Sequence, residues 1–166
     1  MNEQQNPDAV VLTEDREPQP VLSIRGTARI DELAAHQGER LRELWSAIQA
    51  RGVAAAGPPF VRYHTFGENE TDLEVGIPVL SPAAGEGRIA AGELPGGAAI
   101  TTWHIGAHDR LAEAYGRLGT WLNEHRRQAA GAAWEVYWWI EPSVEPDPAT
   151  WPPPSDWRTE LVQPIA

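Results

Sequence analysis

The chain of 166 residues contains no cysteine. This absence excludes thiol catalysis, metal centres with cysteine ligands and disulfide bonds, and it fits a reducing compartment, so we expect a cytoplasmic location. No apolar run approaches the roughly 20 residues that a membrane-spanning helix requires. The N-terminal stretch also lacks a basic region followed by a hydrophobic one, so neither secretion nor membrane insertion is expected.

Basic charge is scarce as well. The sequence has no lysine and thirteen arginines, and its formal net charge is −11. Proteins that bind nucleic acids need a basic face that displaces counterions from the phosphates, so direct binding to nucleic acid is disfavoured. An acidic chain favours cationic or neutral partners instead, unless its surface charge serves only to keep the protein in solution.

Several signatures of catalysis are absent too. The sequence contains no GxSxG motif, no phosphate-binding P-loop and no GxGxxG turn that opens a helix. These absences argue against serine hydrolases and nucleotide-dependent enzymes. His104 and His108 flank a glycine at a predicted strand-to-helix junction, but no HExxH pattern accompanies them, which favours a structural role over metal binding. The sequence therefore predicts neither a metal site nor a cofactor.

Hydrophobic residues recur in a pattern that changes along the chain. Residues 21–30 read as a strand, and Leu41, Leu44, Trp45 and Ile48 then recur at the spacing of one helical face. Two further strands follow, bounded by proline and glycine. The same order of strand, helix, strand and strand is found again in the second half of the chain.

Two segments fall outside this pattern. Residues 1–19 are polar, acidic and interrupted by prolines, which predicts a disordered acidic tail. Residues 81–97 are rich in glycine, alanine and proline, which predicts a linker with a short ordered tail at GELPGG. The remaining chain forms one predicted domain over residues 20–166, with a first repeat at about 20–80 and a second at 98–166.

The two halves can be aligned by hand. Three blocks correspond at constant offsets, namely residues 41–48 with 111–118 at an offset of 70, 57–64 with 131–138 at 74, and 71–79 with 157–165 at 86. Three similar blocks in the same order indicate a duplicated βαββ unit, although hydrophobic patterning alone also gives partial matches. We therefore predict an α+β fold with pseudo-twofold symmetry, in which an antiparallel sheet carries both helices on one face and a ligand groove on the other.

The predicted strand WEVYWWIEP contains a carboxylate among aromatic residues. Alternation places Glu135, Tyr137 and Trp139 on one face of this strand. The repeat places Tyr63 at the position equivalent to Tyr137, so it shares that face. A carboxylate buried among rings is costly unless something compensates it. Glu135 is therefore solvated, paired with an arginine such as Arg62, or available to a ligand.

Other residues extend this candidate site. Trp103 lies on a predicted strand of the second half and is a further candidate for lining the groove. Glu74 and Glu160 alternate with apolar residues in their strands, so either is a candidate second carboxylate. Trp151 and Trp157 lie in or beside a proline-rich loop, where a ring either caps the groove or stacks on proline. We assign four further aromatic residues to the interface between helices and sheet, namely Trp45, Tyr115, Trp134 and Trp138.

Five features of the second half recur in a fixed order. They are a Leu-Pro-small-Gly turn at 94–97, His104 with Gly106 at a strand end, an amphipathic helix from Leu111 to Leu122, Glu135 with Tyr137, and a closing strand from Thr159 to Ile165. Together with the first half, from about residue 20 to 166, they resemble the GyrI-like small-molecule-binding domain, also known as the effector-binding domain of AraC-type and MerR-type regulators. The resemblance implies a duplicated βαββ fold. It also implies that Glu135 lies in an aromatic pocket that receives cationic, lipophilic compounds.

The chain departs from the family pattern in two places. After the Glu-x-Tyr strand, Trp139, Ile140 and Glu141 stand where the family usually has Asn-Asp. The loop VEPDPATWPPPSDW that follows is long and rich in proline. Because this loop would form the rim of the pocket, the shape of the rim does not follow from the resemblance.

The resemblance leaves three functions open. The first is a stand-alone domain for multidrug-type binding or sequestration of lipophilic, aromatic or cationic small molecules, because the chain has no room for the helix-turn-helix domain of the regulators. Its candidate ligand-binding residues are Glu135, Tyr137, Trp139, Tyr63 and Trp103. The second is a hydrolase that opens cyclopropanoid genotoxic natural products by adding water, with Glu135 as catalytic acid or base. The third is a protein-interaction module, such as a DNA mimic or gyrase modulator, that uses the groove or the acidic tail.

Overall fold

The structure is a computed structural model and describes residues 6–166. The strands are β1 Val11–Arg16, β2 Gln19–Arg29, β3 Phe60–Phe66, β4 Glu70–Pro78, β5 Ala90–Leu94, β6 Gly97–Ile105, β7 Trp134–Tyr137 and β8 Arg158–Pro164. The helices are α1 Leu33–Arg51 and α2 Leu111–Glu124. Each helix is preceded by one short 3₁₀ turn, and two more 3₁₀ turns lie in the proline-rich loop between β7 and β8.

All eight strands form a single antiparallel sheet in the order β1-β6-β8-β7-β3-β4-β2-β5. The pseudo-twofold axis passes between β3 and β7, because β4 and β2 follow β3 on one side as β8 and β6 follow β7 on the other. Val61 and Glu135 face each other in register across this axis. The predicted α+β fold with a duplicated βαββ unit is therefore confirmed.

Both helices pack against the same face of the sheet. Helix α1 contacts β2 and β4, and α2 contacts β6 and β8. The apolar stripe of α1 is buried there through Leu41, Leu44 and Ile48, and that of α2 through Leu118. The central strands β3 and β7 remain uncovered between the helices. No helix within residues 6–166 is long and apolar enough to cross a membrane.

The sheet is strongly curled, as its connections require. Only Glu17 and Pro18 connect β1 to β2. However, β1 forms one edge of the sheet, where it pairs with β6, and β2 lies beside the opposite edge strand, β5. The two edges must therefore approach each other. Gly96 lies in the connection between β5 and β6, which packs against the connection between β1 and β2. A Cβ atom at Gly96 would lie 2.6 Å from the carbonyl oxygen of Arg16. Only glycine allows this close approach without a shift of the backbone.

Two segments are more ordered than the sequence indicates. The predicted disordered tail, residues 1–19, contains β1, which pairs with β6; residues 1–5 of that tail lie outside the described residues. The predicted linker, residues 81–97, contains β5, which pairs with β2. The prediction of disorder is wrong for β1, and the ordered part of the predicted linker begins earlier than GELPGG, at Ala90. An edge strand is held by backbone hydrogen bonds and needs few buried side chains, so its hydrophobic pattern is weak.

Candidate ligand-binding site

A cleft of about 730 Å³ lies between the two helices, above the uncovered central strands. Its floor includes Glu135 and Tyr137 of β7, and its walls include Gln37 of α1 and Tyr115 of α2. The repeat pattern of the sequence predicts a groove on the face opposite the helices. That prediction is wrong for Glu135, because this residue and its cleft lie on the face that carries both helices. Each helix covers the outer strands of its own repeat, so the helix face itself stays open at the centre of the sheet.

Glu135 is the buried carboxylate at the base of this cleft, with 3% of its surface exposed. The Tyr115 hydroxyl donates a hydrogen bond to Oε2 at 2.5 Å, and the Tyr137 hydroxyl donates one to Oε1 at 2.9 Å. Glu135 is therefore not exposed to solvent, although exposure is one of the three possibilities that the sequence leaves open. The pairing with Arg62 is wrong as well, because its guanidinium donates to the carbonyl of Ala132 and lies over the ring of Trp134, 5.5 Å from the ring centroid.

Burial dominates the electrostatics of this carboxyl group. It raises the pKa of Glu135, while the hydrogen bonds from Tyr115 and Tyr137 act in the opposite direction. Burial also raises the pKa of both tyrosine hydroxyls, and the neighbouring negative charge of Glu135 raises it further. The two tyrosines are therefore neutral donors, and they hold the carboxylate without cancelling its charge.

Tyr63 extends the aromatic wall on the side of the first repeat. Its hydroxyl accepts a hydrogen bond from the side-chain nitrogen of Gln37 at 2.8 Å. Burial raises the pKa of Tyr63, so this hydroxyl is also neutral at physiological pH. Tyr63 and Tyr137 thus line one cleft together, as the alignment of the two repeats predicts.

A second cavity of about 460 Å³ adjoins the cleft under the proline-rich loop. It shares Gln37, His108 and Tyr137 with the cleft and adds three tryptophans, Trp139, Trp151 and Trp157. The rings of Trp139 and Trp157 stack in parallel with centroids 4.6 Å apart. The Trp157 nitrogen donates to the carbonyl of Pro152 at 3.0 Å, so the loop holds its own tryptophan in place.

His108 lies where the two cavities meet. Its ring centroid is 5.3–5.5 Å from those of Tyr137, Trp139 and Trp157. Its Nε2 atom is 2.9 Å from the Thr159 hydroxyl. Burial, with a smaller effect from His104, lowers the pKa of His108 to about 4, so the ring is neutral at physiological pH. His108 therefore contributes an aromatic, uncharged wall and leaves the charge of Glu135 uncompensated.

Three candidates from the sequence lie on the other face of the sheet. Trp103 pairs in register with Glu160 and contacts Trp138, at a centroid distance of 5.9 Å, so it does not line the cleft. Glu74 and Glu160 flank Leu73, Val75 and Leu161, which point toward the helices, and strand alternation turns both carboxylates away. Among residues 6–166, the cleft thus contains one carboxylate rather than an acid pair.

The sequence interpretation missed three residues of the site. The sequence pattern assigns Tyr115 to the interface between helices and sheet, and it gives neither Gln37 nor His108 a role in the site. The one available signal was the alignment of Tyr115 with Trp45 at an offset of 70. It marks a position where a large ring on the helix faces the sheet, and the hydroxyl of tyrosine adds a hydrogen-bond donor there.

This geometry can be compared with known proteins. The family model for the GyrI-like small molecule binding domain matches residues 13–166. The chain belongs to the GyrI-like family. A comparison with curated proteins found no match.

Solved structures similar to this GyrI-like chain include EcmrR and a ligand complex. The C-terminal domain of EcmrR is 22% identical, with a TM-score of 0.73, and the match covers 95% of this chain and 97% of that one. EcmrR in a complex with DNA is 21% identical, with a TM-score of 0.76, and the match covers 95% of this chain but only 57% of that chain. SAV2435 bound to tetraphenylphosphonium is 8% identical, with a TM-score of 0.64, and 95% and 94% of the two chains are covered.

A hydrolase from Listeria innocua is also similar to this GyrI-like chain. It is 11% identical, with a TM-score of 0.62, and the match covers 99% of this chain and 95% of that one. Identities this low support a shared fold and nothing finer. What the site of this chain does must therefore be argued from its own residues.

Proposed function

We propose that this GyrI-like domain binds lipophilic organic cations in the cleft between its helices, with Glu135 as the charge partner, in multidrug-type binding or sequestration. One observation carries the proposal. Among the residues that the structure describes, the side chains that hydrogen-bond Glu135 are two neutral tyrosines, and no cationic side chain forms an ion pair with it. A buried carboxylate of this kind gains most from a cation that arrives with the ligand.

The walls of the cleft suit a large, soft cation. Tyr63 and Tyr137 line the cleft and Trp139 lines the adjoining cavity, and aromatic rings attract positive charge and pack on apolar groups. The two adjoining cavities, about 730 and 460 Å³, lie within the range of sites for drug-sized molecules. The formal net charge of −11 also raises the local concentration of cations.

The hydrogen bonds of Glu135 favour a cation without N–H donors. Each carboxylate oxygen already accepts a hydrogen bond from a tyrosine hydroxyl. These two bonds use about half of the acceptor sites of the carboxylate, so Glu135 gains more from charge and apolar surface in a ligand than from further donors. The complex of SAV2435 with tetraphenylphosphonium shows a cation of this kind bound to that protein, which supports the proposed class of ligand for this chain.

The proposed function is tested with two ions of the same size and opposite charge. We expect tetraphenylphosphonium to bind at least about tenfold more tightly than tetraphenylborate, because only the cation gains from Glu135 and from the aromatic faces. Isothermal titration calorimetry of the purified protein measures both affinities. Equal affinities would show that the cleft selects for apolar surface alone, and absence of binding to either ion would favour a protein-interaction module.

A second candidate function is the hydrolase that opens cyclopropanoid natural products. The observation that favours it is the raised pKa of Glu135 beside the Tyr115 hydroxyl, since a carboxyl group titrating closer to neutrality is a better acid or base. In this mechanism Glu135 accepts a proton from water as the water oxygen bonds to a ring carbon. The electrons of the broken carbon–carbon bond pass into the substrate, which takes up a proton from the protonated Glu135, so the carboxylate is restored and one water has been added.

Mass spectrometry separates this candidate from simple binding. A hydrolase is expected to convert a cyclopropanoid alkylating agent into a product heavier by one water, and the Glu135→Gln variant is expected to lose that conversion. Recovery of the intact compound from the wild-type protein, at the rate seen without protein, would contradict the hydrolase candidate. The binding proposal would then stand on the affinity measurements alone.

A further inference from the structure

A third cavity lies on the sheet face that carries no helix. Its volume is about 320 Å³, and it opens where the curled edges of the sheet approach each other. The lining residues that the argument uses are Phe60, Trp134, Trp138, Glu160 and Arg16. This cavity is separated from the Glu135 cleft by the sheet itself, because strand alternation points Trp134 and Glu135 to opposite faces.

The pseudo-twofold symmetry shows that Glu160 lacks the partners its counterpart has. Glu74 occupies the equivalent position at an offset of 86, where it accepts a hydrogen bond from the Ser23 hydroxyl at 2.5 Å and lies 2.9 Å from Nε2 of His64. Within the described residues, Glu160 accepts a single bond, from the indole nitrogen of Trp138, and that bond is long at 3.3 Å. A carboxylate offers about four acceptor sites, so most of the acceptor capacity of Glu160 is unused.

The small number of hydrogen bonds to Glu160 is unfavourable because the carboxylate is partly buried. Burial raises the pKa of Glu160, and the indole bond and the charge of Arg16 lower it by less. Arg16 lines the same cavity, yet it forms no ion pair with Glu160 among the residues described. The carboxylate is therefore partly desolvated, weakly hydrogen-bonded and turned toward an open cavity.

An aromatic platform lies beside this carboxylate. The Trp138 side chain is 50% exposed, which is unusual for the largest apolar side chain. Its ring is supported by Trp103, which in turn lies under the guanidinium of Arg158, 5.0 Å from the ring centroid. A ligand ring can therefore pack on Trp138 while a polar group reaches Glu160.

We propose that this cavity is a second small-molecule site and that it binds a small aromatic primary amine. The ammonium group would donate hydrogen bonds to Glu160, and the ring would pack on Trp138. The two sites of the chain then select different cations. Glu135 already receives two hydroxyl donors and favours a cation without N–H groups, whereas Glu160 lacks donors and favours an ammonium that supplies them.

The test uses phenethylammonium and its N,N,N-trimethyl derivative, which share one ring and differ in N–H donors. In ¹H–¹⁵N spectra of the intact chain, phenethylammonium is expected to shift the indole N–H of Trp138. Its affinity is expected to fall about tenfold in Glu160→Gln, the loss typical of a hydrogen bond to a charged group, and to be unchanged in Glu135→Gln. The trimethyl derivative is expected to bind more weakly at this site.

A second variant provides an effect of opposite sign. Arg16→Gln removes a cation that competes with the ligand for Glu160, so phenethylammonium is expected to bind several-fold more tightly to this variant. Failure of this proposal and failure of the Glu135 proposal are distinguishable, since each carboxylate is replaced separately. An unshifted Trp138 signal at millimolar amine, an affinity that Glu160→Gln leaves unchanged, or one that Glu135→Gln abolishes would overturn the second site.

Discussion

Glu135→Gln is expected to weaken the binding of tetraphenylphosphonium at least about tenfold. The amide is nearly isosteric with the carboxylate; its oxygen can accept a hydrogen bond from one of the two tyrosine hydroxyls, and its NH2 group can donate to the oxygen of the other, so the variant removes charge with little change in shape. The attraction lost is that of a buried charge pair, which is worth more than the same pair in water. Isothermal titration calorimetry on the wild-type and variant proteins measures the ratio of affinities.

Two controls separate the role of Glu135 from a general loss of negative charge. Glu74→Gln removes one charge on the other face of the sheet and is expected to leave tetraphenylphosphonium binding unchanged. Triphenylphosphine oxide, a neutral ligand with similar rings, is expected to bind wild type and Glu135→Gln about equally. If Glu74→Gln reduced cation affinity as much as Glu135→Gln did, the attraction would come from the overall field of the protein rather than from the cleft.

The same substitution is expected to raise the stability of the unliganded protein. Burial raises the folded-state pKa of Glu135, so the folded chain holds this proton more tightly than the unfolded chain. The stabilisation linked to that proton is complete below the unfolded-state pKa and is lost as the pH rises through the folded-state pKa. At neutral pH the carboxylate therefore costs stability, and glutamine is expected to raise the midpoint of thermal unfolding by a few degrees, since ~1 kcal/mol corresponds to about 2–4 °C for chains of this size.

A comparison of melting curves at several pH values checks this sign. The gain from Glu135→Gln is expected to shrink toward acidic pH, where the wild-type carboxyl group is protonated and resembles the amide. Such a result would mean that the site holds its charge at the expense of folding stability, as binding sites often do. A variant less stable than wild type at neutral pH would contradict the assignment of Glu135 as an uncompensated charge.

Much of the fold follows from repeated patterns in the sequence. The alignment of Tyr63 with Tyr137 depends only on the spacing of strand residues and their turns, and the structure brings both rings into one cleft. Alternation also places Glu135 with Tyr137 rather than with Trp134, because successive side chains of a strand must point to opposite faces. The structure confirms which of these residues share a face, because the alternation of side chains follows from the geometry of the strand backbone.

The face on which the cleft lies does not follow from alternation. A strand pattern shows which residues share a face, but it carries no signal for which face a helix covers or how far the helix reaches. Here α1 and α2 pack on β2, β4, β6 and β8 and leave the central strands open, so Glu135 lies on the floor of the cleft between the helices. The Tyr115 side chain of α2 reaches into this cleft and donates a hydrogen bond to Glu135. Trp103 has the same periodic signature as a lining residue, yet its register with Glu160 turns it to the other face. Register is a long-range property that the sequence of one strand does not encode.

Tyr115→Phe is expected to destabilise the protein by about 1–3 kcal/mol. The change removes one hydroxyl and leaves Oε2 of Glu135 without its donor, and a buried charged group that loses a hydrogen bond bears the full cost of its desolvation. The hydrogen bond from Tyr115 lowers the pKa of Glu135, so its removal raises that pKa further. Urea denaturation at neutral pH measures the change in the free energy of unfolding.

The cost of Tyr115→Phe depends on charge, and a double-mutant cycle measures that dependence. In the Glu135→Gln background the hydroxyl faces a neutral amide, so we expect the loss of stability to fall to about half or less. Tyr63→Phe is the matched control, because its hydroxyl bonds to Gln37 and donates nothing to Glu135; its cost should be the same in both backgrounds. Tetraphenylphosphonium affinity of Tyr115→Phe should fall at neutral pH and recover as the pH is raised, since a carboxyl group with a higher pKa needs a higher pH to become charged. Equal costs of Tyr115→Phe in the two backgrounds would show that its hydroxyl does not stabilise the charge on which cation binding depends.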